Sequence, residues 1–176
     1  PVISYHAWFQ VGPRHEEEGR TGLAHFFEHL MFNETTNLPW GEFDRRMEAA
    51  GGETNAATWI DWTFYHESLP AEELPLAVEL EADRMQHLVV RRPQVESERE
   101  VVANERRMSV EDDVHGATDE RLQALAFGRR HPHGWPTIGW MEDIAGYRVA
   151  DCRAFYRTWY APNNATIVVV GDFDPE

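Results

Sequence analysis

Apolar and polar positions alternate from the start of the chain. Ile3, Tyr5, Ala7, Phe9 and Val11 fall on one side, and His6, Trp8 and Gln10 on the other. A period of two predicts a strand with one buried face. The charged stretch GPRHEEEGR then reads as a loop, and Thr21 as the cap of a helix running to about Phe32. PWGEFDRRMEAAGG predicts a short helix closed by Gly51 and Gly52. ETNAATWIDWTFYHESL, rich in Thr and aromatics, predicts one or two strands.

From Ala71 to about Val90, the stripe Leu74, Ala77, Val78, Leu80, Met85 and Leu88 predicts a helix, with Pro75 tolerated in its first turn. Pro93 opens another helix to about Glu111. ATDERLQALAFG predicts a helix ending at Gly128, RRHPHGWPTIGW a loop, VADCRAFYRTWY a helix and APNN a turn. The last segment, ATIVVVG, is continuously apolar and predicts a central strand. Strands at both ends with helices between them predict an α+β layer structure, built as one domain over residues 1–176.

The helix over residues 21–32 is unusual. Placed at 100° per residue, Leu23, Phe26, Phe27, Leu30 and Met31 share one face, and His25, Glu28 and His29 share the other. Two imidazoles at i and i+4 are neighbours on a helix surface and can reach one metal ion. The alternative is two surface histidines beside a surface glutamate. In the helix opened by Pro93, Glu98 and Glu105 stand two turns apart on the stripe of Val95, Val101, Val102 and Met108, while Arg99, Arg106 and Arg107 project elsewhere. Carboxylates on an apolar stripe are costly unless paired with cations or bound to metal, so at least one is expected to complete a metal site. Two imidazoles and one carboxylate form the open ligand set of a catalytic zinc. Glu28, beside His29, would then face the attacking water as a general base.

Composition narrows the partners. The chain of 176 residues is 42% hydrophobic and 12% aromatic, which argues for a packed core rather than disorder. Its 31 acidic against 16 basic residues give a net charge of −15, which argues against nucleic acid and fits attraction of basic peptides or a solvated acidic surface. No apolar run approaches the ~20 residues of a membrane span. Cys152 is the only cysteine and reads as a core residue, and His131 and His133 read as loop residues rather than a second metal site. The chain opens on Pro1 rather than Met, as expected of a processed piece. The compartment stays undetermined, a periplasmic or secreted location being one that a removed signal would fit.

With these residues in place, the chain resembles the M16 zinc metallopeptidases, the inverzincins, a group that includes pitrilysin, insulin-degrading enzyme and the mitochondrial processing peptidase. GRTGLAHFFEHLMFNET resembles the family's metal-binding helix, ESEREVVANE its distal-glutamate helix and GGETNAATWIDWTFY its substrate-binding segment. HPHGWPTIGWMEDI and FYRTWYAPNNATIVVVGDFD resemble the rest of its first domain.

The resemblance implies a mainly antiparallel sheet with helices on one face and one Zn2+ per chain. It implies His25, His29 and Glu105 as ligands, Glu28 as general base and Glu98 as the group supporting the ligands. It further implies Asn55 and Ala56 beside an extended peptide substrate added to a sheet edge. Family members pair homologous halves, so a C-terminal half or homologous subunit is expected as partner. A non-catalytic assembly subunit and a metal-binding module without hydrolysis are the competing functions.

Overall fold

A computed structural model describes residues 1–174 of the chain. Four strands form one sheet: β1 (Val2–Phe9), β2 (Glu53–Trp59), β3 (Trp62–Pro70) and β4 (Ala165–Gly171). Their order is β2-β3-β1-β4, and every pairing is antiparallel. The seven α-helices are α1 (Leu23–Leu30), α2 (Glu42–Ala49), α3 (Leu74–His87), α4 (Arg92–Arg106), α5 (Val114–Phe127), α6 (Met141–Gly146) and α7 (Val149–Trp159).

The alternation along β1 gives the sheet its two faces. Ile3, Tyr5, Ala7 and Phe9 are buried, and Tyr65 and Leu69 of β3 join them on the helix side. His6, Trp8, Phe64 and His66 stack on the opposite, half-buried face. Phe26, Phe27 and Leu30 of α1 are fully buried, and Phe27 stacks against Phe155, Tyr156 and Tyr160. This packing fixes the azimuth of α1, so its polar face must point away from the core. Residues 53–70, expected as one or two strands, form a hairpin closed at the Trp59–Trp62 pair. Cys152 is buried and unpaired, as expected for a core residue.

Three expectations are corrected. Among the described residues β4 is an edge strand, paired only with β1, and its Ile167, Val168 and Val170 are 44%, 42% and 64% exposed. A continuous apolar run reports the character of a strand's faces, not its number of neighbours. The cap expected at Thr21 is absent, because Gly22 is the N-cap of α1. Thr21 instead gives both its N–H and its hydroxyl to Asp143. Finally, α4 ends at Arg106 and continues as a π-helical turn over Arg107–Glu111, a wider winding that shifts the stripe drawn at 100° per residue. Met108, inside this turn, is 69% exposed; within α4 itself Val101 is 46% exposed, and Arg106, expected to project elsewhere, is buried and paired with Glu120 of α5.

Candidate metal centre

α1 and α4 pack side by side and bring five polar side chains together. The Nε2 of His25 lies 3.5 Å from Glu105 Oε1, and the Nε2 of His29 lies 3.2 Å from Glu105 Oε2. The two imidazole rings are 4.8 Å apart between centroids. One ligating atom from each of His25, His29 and Glu105 falls within 4.8 Å of the others. Zinc binds such atoms at about 2.0–2.2 Å, which sets tetrahedral ligand atoms about 3.3–3.6 Å apart. These two separations, each to a different oxygen of Glu105, lie close to that spacing, and the three side chains converge on one space as the ligands of a single ion would. Among the described residues no other group of three or more His, Cys, Asp or Glu side chains converges in this way. His131 and His133 pack against Phe127 in their loop instead.

Glu98 approaches the opposite side of His29. Its Oε1 lies 3.3 Å from His29 Nδ1, and its Oε2 accepts a 3.0 Å hydrogen bond from Asn33. Asn33 lies beyond the end of α1, where helical spacing carries no signal for its place beside His29. Burial acts to lower the His29 pKa, but hydrogen bonds and charge from Glu105 and Glu98 outweigh it and raise the group to about 9. Hydrogen bonds from His25 and then His29 hold Glu105 far below the usual carboxylate range. Burial acts to raise Glu98, yet His29 and Asn33 bring it below its ordinary value. The two carboxylates are partly exposed rather than sealed in the core.

Glu28 has no hydrogen-bond partner or ion pair among the described residues. It opens, with His29, Phe32, Asn33, Trp40, Asp44, Asn55, Glu98 and Val101, onto a cavity of about 510 Å³. Trp40, Phe32 and Asp44 carried no sequence signal for this role, since they come from a loop, a helix end and α2. Asn55 reaches the same cavity from β2, whose outer edge pairs with no strand among the described residues. The Ala56 N–H turns away from β3 and is taken by Asn55 Oδ1 at 2.8 Å. Ala56 itself packs against the core.

The start of α1 is held from outside the helix. Glu16, buried in the loop that precedes it, accepts from Gly22 N–H at 2.7 Å and Ala24 N–H at 2.8 Å. Burial pushes its carboxyl up to about 8, against the two amides, which act to hold it down. Nothing in the sequence pattern separated Glu16 from the other charges of GPRHEEEGR.

Comparison with known proteins adds an independent line. The profile of the family described as insulinase (peptidase family M16) matches residues 3–135, and that of the peptidase M16 inactive domain matches residues 148–176. The zinc protease PqqE of Helicobacter pylori is 37% identical over 175 residues, covering 99% of this chain and 39% of the relative. The probable zinc protease PqqL of Escherichia coli is 31% identical, covering 99% of this chain and 19% of the relative. Among solved structures, a protease from Helicobacter pylori superimposes with a TM-score of 0.91 at 35% identity, over 99% of this chain and 42% of that one. The periplasmic protease PqqL of Escherichia coli does so with a TM-score of 0.88 at 29% identity, over 99% and 20%. The chain thus spans about two fifths or less of these relatives' length.

Proposed function

The chain belongs to peptidase family M16, the insulinase family, and from that premise we propose that it is the metal-binding domain of a zinc endopeptidase. The observation that carries the reading is the convergence of His25, His29 and Glu105 with Glu98 behind His29. In this reading one zinc per chain is held by His25 Nε2, His29 Nε2 and Glu105. Glu98 accepts the remaining ring proton of His29, fixing its tautomer and orientation. Zinc held there would supply Lewis-acid chemistry and would lower the pKa of bound water.

Glu28, which lines the cavity beside His29, would act as the general base, accepting a proton from the attacking water and returning it to the leaving amine. The substrate is an extended peptide or unfolded segment lying along the free edge of β2. There Asn55 Oδ1 gives up the Ala56 N–H, which then pairs with the peptide backbone. Residues 1–176 act as one domain, and a C-terminal half or homologous subunit completes the site. A periplasmic location follows the Escherichia coli neighbour. Among the described residues no helix is long and apolar enough to cross a membrane. A non-hydrolytic metal module has no use for Glu28, an unpaired carboxylate facing the cavity beside His29.

Two substitutions test the reading. Glu28→Gln preserves shape but cannot accept a proton. It should keep zinc while hydrolysis by the full-length protein falls about 10²–10⁴-fold. His29→Ala should lose most of the metal. Peptide cleavage within a few-fold of wild type in the first, or unchanged zinc by elemental analysis in the second, refutes the assigned roles.

A further inference from the structure

The helix that carries His25, Glu28 and His29 has only eight residues. Its first-turn amides need acceptors, and its N-cap, Gly22, has no side chain to offer one. Gly22 cannot be exchanged for a capping residue. Its φ is +88°, and a Cβ there would meet Ile138 O at 2.4 Å and Gly139 Cα at 2.7 Å. The close packing of Gly22 on Gly139 therefore obliges the cap to come from elsewhere.

Glu16 supplies it. Each carboxylate oxygen accepts one amide, Oε2 from Gly22 and Oε1 from Ala24, the residue before His25. Asp143 holds Thr21 one step earlier. His25 belongs to the turn that Glu16 secures, whereas His29 lies a turn further on and is held by Glu98 and by the packing of Phe26, Phe27 and Leu30.

Resting on the zinc reading above, we propose that Glu16 is a positioning residue for metal binding: its two side-chain oxygens fix the first turn of α1 and thereby aim His25 at the ion. Glutamine at this position offers one acceptor oxygen and turns an NH2 group toward the second amide. The first turn then loses its fixed geometry while the second keeps it.

The test is the zinc dissociation constant of the folded protein, measured by competition with a chromophoric chelator and checked by far-UV circular dichroism. Glu16→Gln should weaken zinc about 10–100-fold, the range found for groups that orient ligands. Glu16→Asp, which keeps both acceptor oxygens on a shorter arm, should fall between it and wild type. In a His25→Ala background Glu16→Gln should add less than about threefold, because groups acting through one another are not additive.

A folded Glu16→Gln with zinc affinity within about twofold of wild type overturns the proposal, as does an equal loss with and without His25. Should Glu16→Gln not fold, Glu16→Asp decides by the same criterion. Wild-type protein that binds no zinc overturns the site reading and this proposal together. Wild type that binds beside an unaltered variant overturns this proposal alone.

Discussion

His29 presents its two ring nitrogens to two different carboxylates, and that asymmetry gives Glu98 and Glu105 distinct roles in the reading offered here. Helical spacing placed both acids on one side of α4 but left them equivalent, because a wheel carries no information about which ring atom each will meet. We expect Glu105→Gln to lose the metal. Glu98→Gln should retain it with affinity or activity lowered about 10–100-fold; a Glu98 variant that binds zinc more weakly than the Glu105 variant reverses the two roles. The same contacts set a pH dependence. Against the opposing effect of burial, Glu105 and Glu98 raise the metal-free His29 to about 9, so zinc binding at neutral pH would displace a proton. For the metal-free fold, the stabilisation from this raised group is fully present below the ordinary histidine value and is lost as pH rises through 9. For zinc the sign is opposite: the apparent dissociation constant should rise by about tenfold for each unit of pH lowered from 9 toward 7. Calorimetry in buffers of different ionisation enthalpy would register the released proton, and a flat pH profile contradicts it.

At the scale of elements, β1, α1 and α3 were legible in the sequence from the period of their apolar positions, and the β2–β3 hairpin from its content of Thr and aromatics. What escaped was decided between elements. Thr21 looked like a cap because capping chemistry is local, yet a carboxylate from a preceding loop took the place. β4 looked central because its apolar run is unbroken, yet β1 already pairs with β3 and offers only one free side. α6 gave no signal at all, being a single short turn-and-a-half inside a stretch dense in Pro and Gly. Arg84 of α3 was likewise hidden. It is 1% exposed, ion-paired with Glu67 and Glu81, and lies over the rings of Phe32, Phe43 and Tyr65. Burial and then Glu81 push Glu67 above its ordinary value, and Arg84 acts to hold it down. Removing the cation strands two buried acids, so Arg84→Ala should cost about 3–5 kcal/mol. Urea denaturation checks this, and a loss under about 1 kcal/mol would show that the cluster is not held by its charge.

For the molecule as a whole, the net charge is −15, and part of it lines the functional side. Beyond the metal centre, a second cavity shares Asp44 and Asn55 with the first and is lined also by Glu48 and Glu53. None of these three acids has an ion pair among the described residues, while Arg45 and Arg46 of α2 are engaged by Glu42 and Glu79. Burial, and then the neighbouring Glu48, raises Asp44 above its ordinary value, against the charge of Arg84, which acts to lower it. A peptide running along β2 from the metal centre would pass these acids. Lys- or Arg-bearing peptides should therefore associate faster and bind more tightly at low salt, since exposed charges are screened over about 8 Å at physiological ionic strength. The measurement uses Glu28→Gln protein, so that binding is read without cleavage, and compares a basic peptide with its acidic counterpart across a salt series. Affinity for the basic peptide should fall steeply with salt, and affinity for the acidic one should not. Equal slopes would mean that the acidic surface only solvates the protein and takes no part in drawing substrate to the edge of β2.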